Sequence, residues 1–262
     1  MRLVIHFLHV GFGSLNQPVL EVVQAYRPLV TKRNANVRVY LSSYRIGDYP
    51  EKLVDISGQG RVAIIGNALD FRPPEARRQY EAEVYNPFNE FAALGLEAAP
   101  LDLRTYFGNP RALSDALRKF GMVWLLGGNA FLLMRAIRQS GFEDVIRPML
   151  AADEIAYGGF SAGAVVATPH LRGIELMDEP QQLAEGYDAD IIWKGMGIVD
   201  FAIVPHYRSD HHEAEAAEKA VAFMKATQIP FKAMTDGDVY AIHNGQGEHF
   251  LSSRVKQSAL SP

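Results

Sequence analysis

The 262-residue chain contains no cysteine. Disulfides, thiolate metal sites and a cysteine nucleophile are excluded, so any nucleophile must come from another residue type. Long apolar runs are also missing. No stretch approaches the roughly 18 residues that would suggest a membrane span. The opening segment, MRLVIHFLHVGFG from Met1 to Gly13, is short and apolar. His6 and His9 interrupt it, and no clean small-x-small cleavage site follows. A cytoplasmic protein without a membrane partner is therefore expected. Nor is there a basic excess: 26 Lys and Arg stand against 30 Asp and Glu, a formal charge of -4. That balance gives no electrostatic footprint for a nucleic-acid partner.

The composition that remains is globular, and the length suits one large domain with a full core. From Val37 onward, short apolar runs alternate with longer amphipathic ones. VRVYL (Val37 to Leu41), RVAIIG (Arg61 to Gly66), LEAAPLDL (Leu96 to Leu103), MVWLLGG (Met122 to Gly128) and EIAYGGF (Glu154 to Phe160) read as strands. Between them, Pro73 to Leu94, Arg111 to Phe120, Ala130 to Gln139 and Asp144 to Ala152 read as helices. Pro87 inside the first implies two helices or one kinked helix. Further on, Phe201 to Val204 and Phe231 to Met234 read as strands around a charged helix from Glu213 to Thr227. Val239 to Ile242 and His249 to Ser252 suggest a closing hairpin. This alternation predicts an α/β fold, a mostly parallel sheet with helices on both faces. Such sheets place their sites at the carboxyl ends of the strands.

The segment with the clearest chemistry is Gly159-Phe160-Ser161-Ala162-Gly163, after an apolar strand and before a small-residue helix. A serine at that turn is pushed out at the top of the sheet, and glycines on either side give it room. The Ala162 N–H that follows is placed to stabilise an oxyanion. Leu126-Gly127-Gly128-Asn129 ends another strand, and Gly128 there suits the second oxyanion donor. Of eight histidines, His206 stands out because it follows the apolar run FAIVP. Either Asp236 or Asp238, in Thr235-Asp236-Gly237-Asp238, can supply the carboxylate that orients it. A metal cluster of His206, His211 and His212 with Asp210 has weak support, since neither a helical H-x-x-x-H pair nor H-E-x-x-H is present.

Four segments in order, LLGGNAFLLMRAI (Leu125 to Ile137), YGGFSAGA (Tyr157 to Ala164), VPHY (Val204 to Tyr207) and TDGDVY (Thr235 to Tyr240), resemble the aspartyl dipeptidase (peptidase E) family. The resemblance covers roughly residues 37 to 250 and implies a class I glutamine amidotransferase-like fold. It implies Ser161 as nucleophile, His206 as base and Asp236 as acid, where the family's usual residue is glutamate. It matches Gly128 and Ala162 to the oxyanion donors and points to a small peptide as substrate; Asn129 and Arg208 are candidate contacts for it. No metal or organic cofactor is required. One departure concerns specificity. The family arginine that reads an N-terminal aspartate lies in a GHxGExR-like segment, whereas this chain has SDHHEAEAAEK. Arg208 or Lys219 must substitute, or the substrate is not acidic.

Rival readings are an α/β-hydrolase esterase, a non-catalytic module on the same fold, and a cyanophycinase-like enzyme. An α/β-hydrolase orders its triad Ser, acid, His, which would pair Asp236 or Asp238 with His243 or His249. GGN rather than a GGDQ-like sequence favours the dipeptidase side over the cyanophycinase-like one. The resemblance also places the domain start near Val37, with residues 1–36 an extension and 37–262 a single domain. A chain beginning at Asn36 is expected to fold cooperatively and keep the activity of the full chain. Loss of its unfolding transition in urea would contradict this boundary.

Overall fold

A computed structural model describes residues 37–253. The extension expected at residues 1–36 lies outside the described residues. The strands are β1 (Val39–Ser42), β2 (Val62–Ile65), β3 (Ala98–Pro100), β4 (Met122–Leu125), β5 (Ala156–Phe160), β6 (Ala202–Val204), β7 (Phe231–Ala233), β8 (Val239–His243) and β9 (Gln246–Phe250). Seven form one sheet in the order β3-β2-β4-β5-β1-β8-β9. The first five are mutually parallel; β8 pairs antiparallel to β1, and β9 antiparallel to β8. The closing hairpin forms as expected, with its second strand starting three residues earlier than the sequence suggested.

Strands β1, β2, β4 and β5 are buried throughout, as parallel strands covered on both faces must be. Side chains alternate between the two faces. In β4, Val123 and Leu125 join a core with Phe131 and Ile137, while Met122 and Trp124 join the opposite core with Leu53 and Phe91. The covering helices are α1 (Pro50–Ser57), α2 (Pro74–Glu83), α3 (Pro87–Ala93), α4 (Pro110–Leu117), α5 (Ala130–Ser140) and α6 (Phe142–Ala151). Residues 73–94 thus form two helices. Pro87 opens α3, and the Asn86 carboxamide accepts the Asn89 N–H (3.1 Å) as its cap.

Two expectations need correction. The predicted strand Leu96 to Leu103 shrinks to β3, because Asp102 caps a 3-10 turn at Leu103–Tyr106. Strands β6 and β7 do not join the main sheet. They pair parallel to each other and pack on helix α8 (Ala214–Thr227) through Val204, Ala217, Val221 and Met224.

At the end of β5 the chain turns into the short helix α7 (Ala162–Val165). Its backbone lies on the end of β4, and a Cβ on Gly163 would overlap the Leu125 carbonyl oxygen. The buried Tyr157 hydroxyl donates to the Gly163 carbonyl (2.6 Å), fixing helix to strand. Gly163→Ala is expected to destabilise the fold by about 3 kcal/mol, the upper end of overpacking costs, because backbone rather than a side chain must move. The urea midpoint checks this; a midpoint equal to wild type would show that the turn is not tightly packed.

Candidate active site

The carboxyl ends of β4, β5 and β1 lie side by side in the parallel sheet, and residues following each of them line one cleft together with His206 from beyond β6. Ser161 follows β5 with φ 47° and ψ -117°. That backbone is unfavourable for a side-chain-bearing residue and is kept only where the surroundings impose it. The Ser161 N–H is held by the Ser42 carbonyl of β1 (3.3 Å). Ser161 borders a cleft of about 220 Å³ together with Gly127, Gly128, Phe160 and His206.

Gly128 has φ +137°, and a Cβ there would lie 2.6 Å from the Ala68 carbonyl oxygen, so only glycine fits. Among the described residues, the Gly128 and Ala162 amides donate to no backbone carbonyl. Both are available to an oxyanion beside Ser161.

His206 follows β6, is buried, and also has a positive φ of 59°. Its Nδ1 lies 2.8 Å from Asp236 Oδ1. This contact selects the tautomer with the proton on Nδ1 and leaves Nε2 unprotonated toward the cleft. Ser161 Oγ and Nε2 border the same cleft without a direct hydrogen bond. Such contacts commonly tighten only when substrate is bound. Burial pushes the Asp236 carboxyl up, but hydrogen bonds from His206 and Ser43 and the imidazole charge outweigh it and hold it below the ordinary carboxylate range.

Asp238 has different work. Its carboxylate accepts the Thr235 N–H (2.9 Å) and the Ser252 N–H (2.6 Å), tying the turn to the chain after β9. Of the two aspartates left open by the sequence, Asp236 is the one on His206.

Ser43, just past β1, escaped the sequence reading. Fully buried, it accepts the His206 N–H (2.8 Å) and donates toward Asp236 Oδ1 (2.9 Å), so one hydroxyl spaces the pair. A lone serine after a strand carries no motif that would have revealed it. Asp178 was missed as well. It accepts the Ala130 N–H (2.7 Å) and borders a small cavity with Ser161 and Glu213. Burial pushes its carboxyl up to about 7, against the Ala130 hydrogen bond and with help from the Glu213 charge.

The two expected substrate contacts do not reach the cleft. Asn129 caps α5: its carbonyl oxygen accepts the Leu132 N–H (2.8 Å) and its amide donates to the Glu179 carbonyl (2.9 Å). Both ends of that side chain are thereby engaged. Arg208 points into solvent, pairs with Glu218 (3.1 Å) and lies over Tyr207. Lys219 pairs with Glu215 on the exposed face of α8. The cations that do border the cleft are Arg72 and Arg77, the latter held by Asp70 (2.6 Å).

Beside His206 stands a second imidazole. His211 stacks on it with centroids 3.7 Å apart and planes within 8°. Tyr44 sets its edge against both rings. Burial and the adjacent His206 lower the His211 imidazole to about 4, so it stays neutral.

The profile of peptidase family S51 matches residues 56–250. The chain belongs to peptidase family S51. An uncharacterized peptidase of Listeria innocua is 33% identical over 118 residues, 44% of this chain and 52% of that protein. An uncharacterized peptidase of Pasteurella multocida is 28% identical over 173 residues, 65% of this chain and 79% of that protein. A probable alpha-aspartyl dipeptidase of Drosophila melanogaster is 28% identical over 128 residues, 47% of this chain and 50% of that protein. The chain thus spans about half the length of the Listeria innocua and Drosophila relatives. A crystal structure assigned to peptidase E in Listeria monocytogenes EGD-e superposes with a TM-score of 0.65 at 22% identity, covering 82% of this chain and 98% of that one. That likeness establishes the fold, the class I glutamine amidotransferase-like α/β arrangement expected from the sequence. Among the described residues, no helix is long and apolar enough to cross a membrane.

The raised Asp178 has a consequence for stability. The folded protein holds its proton up to about 7, whereas the unfolded chain releases it near the ordinary carboxylate value of 3.8. In that window the native state binds more protons, so stability falls as pH rises from about 4 to 7. Asp178→Asn, which keeps an acceptor for the Ala130 N–H, is expected to flatten that decline. Urea midpoints of both proteins between pH 5 and 8 check it; parallel pH curves would refute the assignment.

Proposed function

We propose that this chain is a cytoplasmic serine peptidase that hydrolyses short peptides through Ser161, His206 and Asp236. One observation carries the reading: Ser161, at a positive-φ turn, shares a cleft with His206, whose far nitrogen is held by Asp236 at 2.8 Å. His206 Nε2 takes the proton from Ser161 Oγ as the oxygen attacks the peptide carbonyl. The developing oxyanion is met by the Ala162 and Gly128 N–H groups. The resulting imidazolium protonates the leaving amine, and water on the same base then releases the acyl group. Asp236, kept ionised by its hydrogen bonds, stabilises the imidazolium and maintains the tautomer. No step calls on a metal or organic cofactor.

Substrate preference follows from the cations at the cleft. Arg208 is too far out to read a carboxylate, and Arg72 takes that part, with Arg77 committed in part to Asp70. Among the described residues Arg72 has no carboxylate partner; its guanidinium lies over the Phe71 ring. An acidic first residue, or the carboxyl terminus of a dipeptide, would be drawn to it.

A panel of Asp-X, Glu-X and neutral dipeptides tests the reading with wild type, Ser161→Ala and Asp236→Asn. Ser161→Ala is expected to lower kcat by several orders of magnitude, with its unfolding midpoint preserved. Asp236→Asn is expected to lower kcat on the order of 10⁴-fold through the wrong tautomer. Retained turnover in Ser161→Ala would end the assignment, as would failure of a fluorophosphonate to label Ser161 in the wild type.

A further inference from the structure

Three donors gather at the mouth of the cleft within eight residues of chain. They are His206 at the end of β6, His211 in the following turn, and Glu213 just before α8. Their ligand atoms all lie within 4.8 Å of one another. The set the sequence suggested was different. His212 is largely exposed, with Nε2 3.7 Å from the other Glu213 oxygen, and Glu213 takes the place of Asp210.

Several features make this trio more than a surface cluster. His206 Nε2 carries its lone pair outward because Nδ1 faces Asp236, which is the carboxylate–imidazole arrangement that orients metal-bound histidines. Glu213 Oε2 already stands 3.6 Å from that nitrogen. Among the described residues, no lysine or arginine pairs with Glu213; its ion-pair partners are His206 and His212. Among the described residues, imidazoles alone therefore flank this half-buried carboxylate as ion-pair partners. His211 supplies the third donor, engaged here in two other contacts: its Nδ1 accepts the Glu213 N–H (3.2 Å) and its ring lies flat on His206, and metal binding must exchange both for the ligand bond. Two parallel rings do not share one metal, so binding requires His211 to tilt out of the stack. It stands in an irregular turn outside any helix or strand, with nothing regular to unfold.

Two imidazoles and one carboxylate, with a fourth position open to the cleft, suit zinc in tetrahedral geometry. We propose that His206, His211 and Glu213 form a reversible site for a divalent transition metal, zinc foremost, and that metal bound there silences the serine by occupying Nε2 of its base. Zinc and the Ser161 proton compete for one lone pair. The metal is thus an inhibitor and no part of turnover. The silencing half rests on His206 being the base; the binding half does not.

The test uses tag-free full-length protein, stripped with EDTA and desalted. Cobalt(II) titration is expected to give the visible bands of a tetrahedral site, and zinc calorimetry one saturable site. Glu213→Gln and His211→Ala should each weaken zinc by about tenfold or more, as losing one of three ligands does at least as much as losing an outer partner. Zinc should stop fluorophosphonate labelling of Ser161 in wild type, and EDTA should restore it. In His211→Ala the zinc needed should rise by the same factor as its loss of affinity. Absence of saturable binding, or equal binding in wild type and both variants, overturns the site. Zinc binding that leaves labelling untouched overturns the silencing. A wild type that never labels refutes the base and with it the silencing, while the cobalt spectrum still decides the site.

Discussion

The backbone of α7 rests on the end of β4 with no side chain between them, and the position of Ser161 follows from that contact. Gly163 meets the Leu125 carbonyl directly, and Tyr157 pins the Gly163 carbonyl from below. The helix therefore cannot slide along the sheet, and the residue joining it to β5 must turn through a conformation that a free chain avoids. Strain at Ser161 is sustained by packing on both sides of it: the strand is buried over its full length, and the helix is buried as well. The same contact brings Leu125 and the glycines after it beside the serine, so Gly128, Ala162 and Ser161 owe their juxtaposition to one packing constraint.

The imidazole of the cleft arrives from a separate piece of structure. His206 and Asp236 lie beyond the ends of β6 and β7, which form their own two-stranded sheet. Ser43 joins that unit to the main sheet by touching the His206 backbone and the Asp236 carboxylate together. The Ser209 hydroxyl accepts the Asp236 N–H (2.8 Å), closing the loop after His206 onto the turn that carries Asp236. Asp238 anchors the other end of the same turn to the chain after β9. The imidazole is thus positioned by backbone contacts as much as by its carboxylate. Its positive φ is the local cost of aiming a residue at the end of one sheet into a cleft at the edge of another.

What was legible in the sequence was whatever leaves a short-range signal. The G-x-S-x-G turn, the paired glycines after β4 and a histidine directly after an apolar run all lie within a few residues of their strands. Contacts between distant segments left no such mark. Ser43 is 163 positions from His206 and is one serine among many. Asp236 and Asp238 share a turn whose Asp-Gly chemistry looks the same for both, and only the path of the chain after β9 separates them. Strands β6 and β7 are three residues each, too short for periodicity to say which sheet they join. Asn129 was misplaced for a clearer reason: an asparagine before a helix is a cap in its own right, and the glycines beside it drew it toward the substrate.

Charge balance around the serine sets the chemistry that the cleft can hold. Three carboxyl groups, Asp178, Glu213 and Asp236, surround Ser161 and His206. Burial weakens the charge of one of them by pushing Asp178 up to about 7. Asp236 is the one held ionised, by direct hydrogen bonds, and it acts on the nitrogen facing away from the serine. Glu213 is left on the side of Nε2 with no lysine or arginine to offset it among the described residues. A carboxylate in that place favours a cation at the cleft mouth.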